Sequence, residues 1–296
     1  MITTGALILA ATLPIVFPSL AKHSYEYALD NGRHTTVTIT KDANTTDWLV
    51  LVPGSGCKKF LKFDPFDNLR LKRAFNTLII SKAGAELDEA DCRKDEFQRS
   101  SVRSQRILDN QTIMRDLIPA NSRIFLAGYS EGGYIAPDIA VADPRVKALL
   151  SFSGSTQNWM TEEIMCVDAG PKRDALQKKF ETQVIGNNSF TEFYNEDWSY
   201  AYLNSYITRR SFEMMKQLTI PVLWLNGDHD DILWIDGARQ DAMDLINIHG
   251  KTNIEYHFIA GAGHDLKCAK TAPTCDPDLL KAQIFGLIEA FAQTHF

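Results

Sequence analysis

The stretch Arg123-Ile124-Phe125-Leu126-Ala127-Gly128-Tyr129-Ser130-Glu131-Gly132-Gly133-Tyr134-Ile135-Ala136 constrains this chain more than any other. Ile124 to Ala127 is a short apolar run, bounded as a buried strand is. Gly133 to Ala142 is apolar enough for a buried helix. Between them the chain turns sharply at Gly128-Tyr129-Ser130-Glu131-Gly132. A serine at the apex of so tight a turn has a strained backbone, and its hydroxyl points away from the sheet. Side chains two residues before and after it would collide with the neighbouring strand and helix. Gly128 and Gly132 remove those side chains. The following helix aims its free N–H groups and partial positive charge at the serine, a setting that favours an oxyanion.

The rest of the chain repeats the same rhythm. Tyr25 to Leu29 and Thr35 to Thr40 alternate and are rich in Thr, Val and Ile, which predicts an antiparallel opening to a sheet. Asp47 to Val52, Asn76 to Ser81, Val146 to Ser153, Ile220 to Asn226 and Asn253 to Ala260 read as further strands. Ser101 to Ile118, Gly237 to Ile248 and Asp276 to Phe291 read as helices, the last with a stripe of Leu279, Leu280, Ile284, Leu287, Ile288 and Phe291. Lys82 to Phe97 is a polar loop without a clear place. Alternating strands and helices predict an α/β fold, a mostly parallel twisted sheet with helices on both faces.

Thr156 to Lys216 interrupts the alternation. Asp174 to Val184 and Ser199 to Gln217 look helical, and the segment is dense in aromatics such as Trp159, Phe180, Trp198, Tyr202 and Tyr206. Lying between two sheet strands and after the serine turn, 156–216 suits a helical cap insertion. Its aromatics then shape an apolar pocket, or simply fasten its helices to the body.

Residues Gly5 to Ala21 are apolar, broken by Pro14 and Pro18, and short for a membrane span. Ser19-Leu20-Ala21 fits a small-x-small cleavage site, although Met1 to Thr4 carries no Lys or Arg. The expectation is a signal peptide over 1–21 and one domain over 22–296, exported to a periplasm or secreted, with no stable membrane insertion once the leader is removed. Cytoplasmic residence is the alternative if the segment is no signal. Of five cysteines, Cys268 and Cys275 bracket a short loop they are spaced to staple. Cys57 and Cys92 are candidates for a second bridge beside the serine, and Cys166 is left over. The net charge of -6 and the lack of a basic block argue against a nucleic-acid partner. No Cys-x-x-Cys or His-x-x-x-His spacing suggests a metal.

A serine hydroxyl is a weak nucleophile until an imidazole takes its proton, and the imidazole needs an acceptor to fix its tautomer. Three successive strand tips offer these groups in order: Ser130, an Asp within Gly227 to Asp231, and His264 in Gly261-Ala262-Gly263-His264. These three segments, with Pro221-Val222-Leu223-Trp224-Leu225-Asn226-Gly227-Asp228-His229-Asp230, resemble the α/β-hydrolase superfamily, in its serine esterase and oligopeptidase-like branch. The resemblance spans most of 46–292 apart from the cap. It implies Asp230 as the triad acid, with Asp228 and Asp231 as competitors, and His264 as the base. It also implies an oxyanion hole from the N–H groups of Glu131 and of Ser55 or Gly56, in the loop Pro53-Gly54-Ser55-Gly56-Cys57. The superfamily usually has His-Gly or a glycine run there, and Pro53 departs from it.

The implied activity is hydrolysis of carboxylic esters through an acyl-enzyme on Ser130, with no cofactor and a small ester or short peptide as substrate. A peptidase is the alternative, because the chemistry up to the acyl-enzyme is shared. Peptidases of that type usually carry a large N-terminal accessory domain, and none is seen in this sequence. A non-catalytic binding protein on the same scaffold is the remaining reading.

Overall fold

The computed structural model describes residues 22–61, 74–85, 91–207 and 210–296. The expected leader, 1–21, lies outside them. Eight strands form one sheet in the order β1-β2-β4-β3-β5-β6-β7-β8. They are β1 (Lys22–Ala28), β2 (His34–Thr40), β3 (Trp48–Val52), β4 (Asn76–Ile80), β5 (Ile124–Tyr129), β6 (Val146–Phe152), β7 (Val222–Gly227) and β8 (Ile254–Ile259). β1 and β2 are antiparallel, β2 joins β4 antiparallel, and every pairing from β4 to β8 is parallel.

Strand periodicity sorts the core into two layers. In β3, Trp48, Val50 and Val52 face one apolar cluster while Leu49 and Leu51 face the other; β5 divides Ile124 and Leu126 from Phe125 and Ala127 in the same way. Both faces of these strands are covered, which is why they read as unbroken apolar runs rather than alternating ones.

One layer holds the helices α1 (Asp95–Ser101), α2 (Arg103–Leu117) and α3 (Glu131–Ala142). The sequence predicts a single helix from Ser101; the chain instead breaks at Val102, whose ψ is 141°. Between β6 and β7 lie α4 (Trp159–Met165), α5 (Pro171–Lys179, continued by a π turn to Val184), α6 (Tyr200–Ile207) and α7 (Phe212–Gln217). The sequence reading merges α6 with α7 and omits α4. The Asn158 side chain caps α4 by accepting from the Thr161 N–H at 2.9 Å. Ser211, just before α7, donates its hydroxyl to the Tyr134 carbonyl at 2.5 Å. After β7 comes α8 (Ile235–Met243), extended by a π turn to Ile248.

The other layer is closed by α9 (Pro277–His295). Asp276 caps it by accepting from the N–H groups of Asp278 and Leu279, with Pro277 in the first turn. Leu280, Ile284, Ile288 and Phe291 are buried in this layer, whereas Leu279, expected in the stripe, faces solvent.

Candidate active site

β5 is central in the sheet and delivers Ser130 at its carboxyl end. The backbone of Ser130 has φ 53° and ψ -121°, a left-handed conformation that costs a non-glycine residue about 1–3 kcal/mol. The turn is anchored by the Ser130 N–H on the Phe152 carbonyl at 2.9 Å and by the Gly133 N–H on the Ser130 carbonyl at 2.8 Å. Glycine is required beside it for space: a Cβ at Gly132 would lie 2.0 Å from the Val52 carbonyl oxygen, and one at Gly128 2.5 Å from that of Gly132.

The Ser130 hydroxyl lies 2.8 Å from His264 Nε2. On the other side of the ring, His264 Nδ1 lies 2.8 Å and 3.0 Å from the two carboxylate oxygens of Asp230. The Asp230 side chain is fully buried and that of His264 nearly so. Asp230 Oδ1 also accepts the N–H groups of Ile232 and Leu233, at 2.9 and 3.1 Å, which holds the carboxylate toward the ring. The neighbouring acids are placed elsewhere. Asp228 accepts the Gly261 N–H at 2.6 Å, and Asp231 is exposed. His229 pairs with the Thr271 hydroxyl at 2.9 Å.

The loop after β3 lies against this group. A Cβ on Gly54 would come within 2.9 Å of Ser130 Cβ, so the main chain passes directly beside the serine. Ser55 and Gly56 follow in an exposed turn, and Gly56 has φ 94°. The loop ends in Cys57, which is bonded to Cys92. Cys268 and Cys275 form the second disulfide, in the loop that carries His264, and Cys166 is free and exposed.

Two buried carboxylates beside the site were not singled out in the sequence for their side chains. Glu131, whose N–H starts α3, accepts from Lys82 at 3.0 Å, from the Tyr206 hydroxyl at 2.6 Å, and from Arg106 and the Tyr202 hydroxyl. Burial pushes its pKa up, but the cations Lys82 and Arg106 and the two phenols outweigh it and hold it at about 2. Burial in turn pulls Lys82 down to about 8, against the attraction of Glu131. Glu162 of α4 accepts the Trp234 N–H at 2.5 Å. Burial raises it to about 7, with the charge of Asp230 adding to the rise and Ser155, the Trp234 N–H and Tyr134 opposing it. Among the described residues, no group of three His, Cys, Asp or Glu side chains converges as a metal site, and no helix is long and apolar enough to cross a membrane.

A buried acid, an imidazole and a strained serine in one hydrogen-bonded line, at the carboxyl ends of β7, β8 and β5, sit on a known scaffold: the chain has the α/β-hydrolase fold. Solved structures similar to it include an esterase of Pyrococcus furiosus, at 13% identity and a TM-score of 0.60, covering 94% of this chain and 92% of that one. An acylaminoacyl peptidase of Pyrococcus horikoshii matches at 15% identity and a TM-score of 0.62, covering 94% of this chain but 42% of that one. A carboxylesterase structure from the thaumarchaeon Nitrososphaera gargenis matches at 14% and 0.59, covering 91% of this chain and all of that one. No protein-family model matches the sequence, and no curated protein is similar to it.

Proposed function

We propose that the protein is a serine hydrolase that cleaves carboxylic esters through an acyl-enzyme on Ser130. The observation that carries this reading is the line from Ser130 Oγ through His264 to Asp230, with 2.8 Å on each side of the ring. In the proposed cycle Ser130 Oγ attacks the ester carbonyl as its proton passes to His264 Nε2. His264 then protonates the departing alcohol, and Asp230 holds Nδ1–H and balances the imidazolium charge. Water, deprotonated by His264, releases the acid. The N–H of Glu131 and that of Ser55 or Gly56 receive the oxyanion. Segment 156–216 serves as a cap whose aromatics shape the acyl side of the site. The two disulfides favour an oxidising compartment and hence export.

The peptidase reading is kept because the Pyrococcus horikoshii structure shares the fold. The test is labelling with a fluorophosphonate probe, read with turnover of p-nitrophenyl acetate and butyrate. Wild type labels and turns over, and Ser130→Ala loses both. Folded wild type that does neither leaves a binding protein as the reading. A panel of acyl esters and aminoacyl amides separates esterase from peptidase.

A further inference from the structure

The Glu131 side chain joins more than the cations around it. Arg106, reaching in from α2, donates through Nη1 to the Glu131 carboxylate and through Nη2 to the carbonyl oxygen of Pro53. The side chains of Arg106, Glu131 and Lys82 are all at most 3% exposed. One guanidinium therefore spans two segments: the turn at Ser130, which carries the Glu131 N–H, and the loop after β3, which carries Gly54, Ser55 and Gly56. Pro53 is the residue at which this loop leaves the sheet, and Gly54 is the point at which it touches Ser130.

That loop has two glycines within three residues, a composition with wide conformational freedom. An oxyanion hole works only when its donors stay fixed on the position that the negative oxygen will occupy. Pinning the Pro53 carbonyl fixes the peptide plane from which Gly54 starts, and the bond from Cys57 to Cys92 holds the loop's far end. The planar fork of arginine can serve a carboxylate and a carbonyl at once, with several N–H donors in fixed geometry. A lysine at 106 keeps the charge and one contact but lacks the span. Lys82 already occupies the other carboxylate oxygen, so Glu131 keeps a cation even when Arg106 is replaced.

We propose that Arg106 is a positioning residue of the oxyanion hole, bridging the Glu131 carboxylate and the Pro53 carbonyl so that the two N–H-bearing segments keep a fixed separation. The inference rests on Ser130 being the nucleophile, and its test is arranged to separate the two claims.

The enzyme and Arg106→Lys are compared for kcat and KM on p-nitrophenyl acetate. They are also compared for inhibition by an alkyl trifluoromethyl ketone, which forms a tetrahedral oxyanion adduct, and by the matching methyl ketone, which does not. Circular dichroism confirms folding. Loss of wild-type labelling in Ser130→Ala establishes the nucleophile independently. Arg106→Lys is then expected to lower kcat about 10- to 100-fold with KM within about threefold. The trifluoromethyl ketone should weaken by the same factor and the methyl ketone should not. A folded Arg106→Lys with wild-type kcat overturns the proposal, as does equal weakening of both ketones, which marks a damaged pocket instead. If Arg106→Lys does not fold, Glu131→Gln decides. Its neutral amide weakens the bridge from the other end, so kcat falls without KM; an unchanged kcat overturns the proposal. If wild type neither labels nor turns over, the nucleophile reading has failed and the oxyanion role falls with it.

Discussion

Two acids two residues apart in the chain have different surroundings, and their variants should separate cleanly. Asp230 is sealed against His264 Nδ1, while Asp228 holds the Gly261 N–H. Replacing the acid that fixes the imidazole tautomer costs about four orders of magnitude in kcat. Asp230→Asn is expected to show that loss and Asp228→Asn to stay within about tenfold of wild type. The reverse ranking in ester turnover would reassign the acid. Glu162 carries a second expectation, read in stability. Its folded pKa of about 7 lies above the usual value of 4.5, so between those limits the folded protein binds the extra proton. Stability therefore falls as pH rises through that window, by about 3 kcal/mol at most, converting the shift at 1.36 kcal/mol per unit. Glu162→Gln removes the titration. Urea unfolding at pH 5 and pH 8 should show a smaller difference in the variant than in wild type; equal differences sink the idea. Glu131 has the opposite sign: its lowered pKa stabilises above pH 4.5, and that contribution is lost as pH falls toward about 2.

The elements differ in how far the sequence announces them. Ser130, Asp230 and His264 were legible as candidates because each closely follows an apolar strand, Ser130 and His264 in turns rich in glycine and Asp230 in a short acidic turn opened by Gly227. Parallel strands buried on both faces leave an unmistakable apolar run, and here all of those runs form strands within two residues of their expected ends. Arg106, Lys82 and Tyr202 were not legible. An arginine in a helix reads as a solvated charge, and only the fold brings it to a glutamate 25 positions away. The buried side of α2 is partly polar, with Arg103, Arg106, Asp109 and Asn110, so hydrophobic spacing could not mark the break at Val102. The cysteine pairs were offered as candidates, and both are bonded in the structure. They brace the loops after β3 and β8, which flank Ser130 from opposite sides. Chain-entropy arithmetic for separations of 35 and 7 residues gives about 4 and about 2 kcal/mol. The double variant Cys57→Ser/Cys92→Ser should therefore lower the urea midpoint more than Cys268→Ser/Cys275→Ser. Equal midpoints would show that loop length does not govern the effect.

At the scale of the molecule, the open matter is whether segment 156–216 behaves as a separate lid or as part of the body. Its aromatics answer physically. Trp159 stacks on Tyr206 at 4.4 Å between ring centres, and Tyr134 of α3 meets Trp159 edge-on at 6.0 Å. Trp159, Phe180, Tyr202 and Tyr206 belong to the same apolar cluster as Val50 of β3 and Leu126 of β5. The hydroxyls of Tyr202 and Tyr206 end on the Glu131 carboxylate, one residue from Ser130. Detaching the segment would expose that cluster and strand a buried carboxylate with two cations, a cost far above that of opening a polar lid. The expected result is one cooperative thermal transition, with calorimetric and van't Hoff enthalpies equal. Backbone amides of α6 should then exchange with solvent as slowly as those of β5. A separate, earlier transition confined to 156–216 would show an independent lid.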